Sequence, residues 1–192
     1  MREIDAQTTN LNGTPSLVLM ENAAAAVARA VSEYLSGEVA GKRILVLCGK
    51  GNNGGDGAAA ARLLATAGAR IDVVLIGKIE AGKGDARINF DRLQSWRDEQ
   101  ALREDRQTVI ADSGAINLFE CDSEKAWEQL LTSVLSFPAD VVIDALFGTG
   151  LTRPVEGLHA EAIKYLQHLC PDRDSNRDRT SFIVSVDRKS VV

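Results

Sequence analysis

The chain has no excess of basic charge, no disulfide-forming set of cysteines and no apolar run long enough to cross a bilayer. Each absence removes a class of function. Among its 192 residues, 22 Lys and Arg stand against 27 Asp and Glu, for a net charge of −5. The two signs are interspersed, so no basic stripe offers a footprint for DNA or RNA. Cys48, Cys121 and Cys170 are an odd number without CxxC spacing, which argues against a disulfide framework or a zinc site. Buried or incidental thiols in a reducing compartment are the expectation. The longest apolar runs fall well short of the roughly 20 residues that span a membrane, and no signal-peptide apolar core heads the chain. A cytoplasmic location is expected. With 45% hydrophobic residues at this length, residues 1–192 read as one domain with one well-buried core.

What is present is alternation. Thr14-Pro15-Ser16 starts a long alanine-rich helix through Val31, with Gly37 as its stop. Strand-like apolar runs follow at 43–48, 71–76, 108–111, 139–146 and 182–187, separated by helical patterns near 56–67, 85–102, 123–135 and 155–170. Such an order predicts an α/β fold: a doubly wound, mostly parallel sheet with helices on both faces, a three-layer αβα sandwich. The mixed-charge run 171–179 reads as a solvated loop.

Chemistry concentrates after two of the strands. The first runs from Ile44 to Cys48 into Gly49-Lys50-Gly51-Asn52-Asn53-Gly54-Gly55-Asp56-Gly57. Glycines at 49, 51, 54 and 55 permit positive φ and close backbone approach, and the helix that begins near Ala58 turns its positive end to the same spot. An anionic ligand, above all a nucleotide phosphate, suits it. The fourth strand ends in Asp144-Ala145-Leu146-Phe147-Gly148-Thr149-Gly150-Leu151-Thr152-Arg153-Pro154. A strand order 3-2-1-4-5 makes strands one and four neighbours at the topological switch, where open α/β sheets form their ligand crevice. Asn53 then faces Asp144, and their oxygens suit a group I or II cation or the hydroxyls and amide of a nucleotide. Gly148, Thr149 and Gly150 supply a second cradle of N–H groups.

Two familiar readings fail on missing residues. Gly49-x-Gly51-x-x-Gly54 matches the dinucleotide pattern, but the acidic residue due at the end of strand two is absent, its place taken by Ile76-Gly77-Lys78. An ordinary NAD-dependent dehydrogenase is therefore disfavoured, and no Gly-Lys-Ser/Thr closes the turn as a phosphate-binding P-loop requires. Asp56 reads equally well as a helix N-cap or as a ligand-facing group. Asn52 and Asn53 stand among glycines that already make the turn, so turn formation does not account for them. Asp144 ends an apolar run, where a carboxylate needs a partner. His159 and His168, nine residues apart on one predicted helix, read as surface or satisfied residues, and Trp96 and Trp127 as packing.

Four segments together resemble the YjeF N-terminal domain family, the NAD(P)H-hydrate epimerases. They are Met1-Arg2-Glu3-Ile4-Asp5, Leu19-Met20-Glu21-Asn22-Ala23, the glycine-asparagine block from Gly49 with Ala61-Arg62-Leu63, and Asp144-Ala145-Leu146-Phe147-Gly148-Thr149-Gly150. The resemblance implies a Rossmann-like homodimeric domain that interconverts the R and S epimers of hydrated NADH and NADPH. A stereospecific NAD(P)H-hydrate dehydratase, fused to this domain in many bacteria, is the implied functional partner. By position it implies that Asn52, Asn53, Gly54, Gly55, Asp56, Gly148, Thr149, Gly150, Leu151, Thr152, Arg153, Pro154 and Asp187 line the hydrated dinucleotide. Asn53, Asp144 and Ser190 are implied as ligands of a potassium ion (K+), and Asp187 as the catalytic acid and base.

The family's last motif, Asp-Ile-Pro-Ser-Gly, is broken here: Arg188 and Lys189 replace Ile-Pro and Val191 replaces the glycine. Without the proline the turn that aims Ser190 is lost, and two cations crowd a potassium site. That loss of pattern before Val192 reads as a domain incomplete at its C-terminus. An inert fragment, or a nucleotide-binding or protein-interaction module of the same fold, is the alternative reading.

Overall fold

The structure is a computed structural model, and it describes residues 15–105, 114–148, 154–169 and 181–186. Its elements run in the order α1 (Ser16–Tyr34), β1 (Arg43–Cys48), α2 (Asn52–Thr66), β2 (Arg70–Ile76), α3 (Gly84–Asp105), β3 (Ala115–Cys121), α4 (Glu124–Thr132), β4 (Val141–Ala145), α5 (Leu158–Leu169) and β5 (Phe182–Ser185). Five strands form one sheet in the order β3-β2-β1-β4-β5, every pairing parallel. β1 lies at the centre, with Cys48 opposite Leu75 of β2 on one side and Ala145 of β4 on the other. The reversal of strand order therefore falls between β1 and β4, and their loops open at one rim.

The alternation of side chains along the central strands feeds two apolar layers. Ile44, Val46, Cys48, Val141, Ile143 and Ala145 pack with Val31 of α1, Leu64 of α2 and Phe90 and Leu93 of α3. Leu45, Leu47 and Val142 turn to the opposite face, against Trp127 and Leu130 of α4 and Leu166 of α5. Both faces are covered, which is why β1 and β2 read as nearly continuous apolar runs.

At the rim opposite the crevice, Arg43 uses its whole guanidinium. Nε and Nη2 donate to Asp72 at 2.9 and 2.6 Å. Nη1 reaches the carbonyls of Phe137 and Pro138, and Nη2 also reaches that of Val134. Asp72 accepts a further bond from Asn117, so one cluster ties β1, β2 and β3 to the loop before β4.

Three expectations are corrected. The third strand lies at Ala115–Cys121, whereas 108–111 fall outside the described residues. Its polar-interrupted pattern, Ala-Ile-Asn-Leu-Phe-Glu-Cys, belongs to a sheet-edge strand with one exposed face, unlike the continuous runs at the centre. The second helix starts at Asn52, four residues before the expected 56, so Asn52 to Asp56 lie in its first turns. None of Gly49, Gly51, Gly54 or Gly55 takes a positive φ; among the described glycines that conformation belongs to residues 37, 41, 68, 77, 84 and 157. The glycine block works instead by close approach. A Cβ on Gly54 would collide with the carbonyl oxygen of Gly49, and one on Gly57 would stand 2.5 Å from Cβ of Ala145. The start of α2 thus lies almost flush on β1 and β4.

Candidate functional site

Because α2 begins at Asn52, its first N–H groups have no partner within the helix and its positive end opens at the β1–β4 rim. Gly51 is the N-cap and supplies no side chain, while its carbonyl accepts the first helical bond from Gly55 at 3.1 Å. Asp56 is therefore not the N-cap. It lies inside the helix and is buried.

The loops after β1 and β4 are joined. Gly49 N–H donates to the Ala145 carbonyl at 3.0 Å, extending the sheet pairing past the strand end. The Asn53 side-chain amide then donates to the Phe147 carbonyl at 2.9 Å. Its oxygen is directed toward Gly148, where a Cβ would stand 3.4 Å from it. Asp144, half-buried and paired across the sheet with Leu47 and Ser185, accepts the Leu146 N–H on Oδ1 at 3.1 Å. Asn53 and Asp144 are thus bound to successive residues of one loop. The end of β5 joins them, since Val186 N–H donates to the Asp144 carbonyl at 2.9 Å.

No group of three or more His, Cys, Asp or Glu converges among the described residues. The donors at this rim are an amide oxygen, peptide carbonyls and one carboxylate. Oxygen donors of this kind are chemically suited to a hard, weakly charged cation.

Of the residues expected here, Asn52, Asn53, Gly54, Gly55, Asp56, Asp144 and Gly148 come to this rim or into the first turns of α2, and Pro154 is exposed before α5. Thr149, Gly150, Leu151, Thr152, Arg153, Asp187 and Ser190 lie outside the described residues, as does Cys170. Cys48 sits under the rim, and burial first, then the Asp144 carboxylate, pushes its thiol far up, so it is inert at neutral pH.

His159 was not expected at the site. From the first turn of α5 its ring lies against Phe147, centroids 5.1 Å apart. Burial, with a smaller part from the charge of Lys50, lowers its pKa below the usual 6.5. His168, at the other end of α5, is exposed as expected. The signal for His159 is positional: a helix that follows a rim loop starts beside that rim.

Residues 16–190 match the family described as YjeF-related protein N-terminus. A bifunctional NAD(P)H-hydrate repair enzyme Nnr of Moorella thermoacetica is 36% identical over 166 residues, which are 86% of this chain and 28% of that protein. An NAD(P)H-hydrate epimerase of Limosilactobacillus fermentum is 38% identical over 165 residues, covering 85% of this chain and 64% of the relative. The chain therefore spans less than two thirds of either. The crystal structure of yeast ynu0 shares the fold, with a TM-score of 0.66 at 24% identity over 96% of this chain and 66% of the yeast chain.

Proposed function

The chain belongs to the YjeF-related N-terminal family, and on that premise we propose that it epimerises hydrated NADH and NADPH at C6 as part of nicotinamide nucleotide repair. The observation that carries this reading is the Asn53–Phe147 bond, which unites the glycine block and the Asp-Ala-Leu-Phe-Gly block at one rim. Open helix N–H groups there suit a pyrophosphate, and the amide and hydroxyl-binding oxygens beside them suit ribose and carboxamide.

C6 of the substrate carries a hydroxyl next to the ring nitrogen. Proton donation to that hydroxyl releases water and leaves a flat iminium, and water adding to the opposite face returns a proton and the inverted centre. A single carboxyl group can serve both halves, giving the proton to the leaving oxygen and taking it from the entering one. Asp187 is assigned that role; it is the residue after Val186, whose N–H bonds the Asp144 carbonyl. Asn52 to Asp56 and Gly148 to Pro154 orient the dinucleotide, which lowers the entropic part of the barrier. Asn53 and Asp144 would hold a potassium ion, whose charge when bound would favour the anionic parts of the ligand, whereas Ser190, the third ligand the family implies, follows Arg188 and Lys189 instead of Ile-Pro and is not relied on. Residues 1–192 act as one domain, working as a homodimer in the cytoplasm, and a dehydratase specific for one epimer consumes the product.

A coupled assay tests the reading. With an excess of such a dehydratase, the slow epimer persists without this chain and is consumed in its presence. Persistence in both cases overturns the proposal, and Asp187→Asn abolishing the acceleration supports the assigned acid and base.

A further inference from the structure

In a doubly wound sheet the adenosine half of a dinucleotide lies over the tip of β2, where a carboxylate binds the ribose diol or a cation accepts a 2′-phosphate. Here that tip is Gly77, with φ 128°, followed by Lys78. Two neighbouring carboxylates are already engaged: Glu120 accepts the Ile79 N–H at 2.7 Å and Asp122 pairs with Lys78 at 3.0 Å. Each thus already has a protein partner, and the Lys78 charge is balanced by Asp122.

Lys50 is placed differently. It follows β1 in the glycine block, yet its side chain lies across Gly77, with Cδ, Cγ and Cε 3.4, 3.6 and 3.9 Å from where a Cβ on Gly77 would stand. Those are ordinary van der Waals distances, so the lysine stem packs on the turn at 77, and it is the φ of 128° that calls for glycine there. Lys50 is exposed and has no ion pair among the described residues, and its charge reaches the crevice strongly enough to disfavour protonation of His159. A cation with no ion pair among the described residues therefore stands beside the open end of α2, at the tip of the neighbouring strand.

Resting on the dinucleotide reading above, we propose that Lys50 is a specificity-determining residue that receives the 2′-phosphate and favours the phosphorylated coenzyme. A charge-assisted bond of this kind corresponds to about tenfold or more in affinity.

The test uses fragments that need no catalysis. Equilibrium binding of adenosine 2′,5′-bisphosphate and of adenosine 5′-monophosphate is measured on the parent, Lys50→Met and Lys50→Arg. The bisphosphate should bind the parent about tenfold or more tightly than the monophosphate. Lys50→Met, which keeps an apolar chain over Gly77, should erase the difference, and Lys50→Arg should retain it. Equal weakening of both probes, no change in either, or no preference in the parent overturns the proposal. Efficiencies with hydrated NADPH and hydrated NADH should show the same ratio and the same loss. Fragment discrimination without epimerisation of either coenzyme would leave Lys50 its role and remove the epimerase reading. Epimerisation of both, with a ratio that Lys50→Met does not move, would do the reverse.

Discussion

The side-chain amide of Asn53, one residue into α2, donates to the carbonyl of Phe147, two residues past the end of β4, across 2.9 Å. Beyond the Gly49–Ala145 backbone bond, it is the side-chain tie between the two loops that form the crevice. Replacing Asn53 by Ala removes a net contribution of about 1 kcal/mol, so the melting temperature should fall by only about 2–4 °C. On the proposed function, epimerisation should fall far more, by about 100-fold, because displacement of the Phe147–Gly148 segment misplaces the ligand. Thermal melts paired with the coupled assay check this; proportionate small losses in both would deny the bond its positioning role.

The glycine block should be tolerant at one position and intolerant at another. Gly51 has φ −92° and open space where a Cβ would stand, so Gly51→Ala should cost only the N-cap preference of glycine over alanine, no more than about 1 kcal/mol. Gly54→Ala drives a methyl into the Gly49 carbonyl, and the backbone shift should cost about 3 kcal/mol or more. Urea denaturation of the two variants side by side measures the contrast, and similar midpoints would show that close approach is not what the block provides.

Arg43 and Asp72 keep only 22% and 13% of their side-chain surface exposed, which places the pair between a surface bridge and a buried one. Arg43→Met should destabilise by about 2–3 kcal/mol, above the roughly 0–1 kcal/mol of exposed pairs and below the loss of a fully buried partner. Lys at this position should recover little, since one ammonium cannot reach Asp72 and three carbonyls together. Chemical denaturation of Arg43→Met and Arg43→Lys decides it; full recovery by Lys would assign the effect to charge alone.

His159 makes stability depend on pH. Its pKa is lowered in the folded chain, by burial first and by Lys50 second, so below about 6.5 the unfolded state holds more protons than the folded one. Its contribution is therefore complete above 6.5, declines as the pH falls from there toward the folded pKa, and declines no further below it. His159→Gln should flatten the change in unfolding free energy between pH 7.5 and 5.5. An unchanged slope in the variant would remove His159 as its source. In the parent, the imidazole carbon signals that His159→Gln removes should titrate below 6.5.

The alternation of apolar runs with helical patterns was enough to predict the sandwich, and the strand order 3-2-1-4-5 is the one that the crevice argument needed. β3 was misplaced because an edge strand keeps polar residues on its open face and so lacks a continuous apolar run. The start of α2 was placed late because Asn and Gly have poor helix propensity in isolation. Packing of the Gly54 and Gly57 backbones on β1 and β4 overrides that preference.

By itself the sequence determined the fold class, the family through its two loop motifs, and which residue types stand after β1 and β4, because these depend on local periodicity and spacing. Only the tertiary structure decided that the glycines serve contact and not turning, that Asn53 reaches Phe147, and that Lys50 crosses to Gly77 while His159 comes to the rim. Those are relations between segments far apart in the chain, set by how sheet neighbours and crossover helices pack, and no local pattern of residues encodes them.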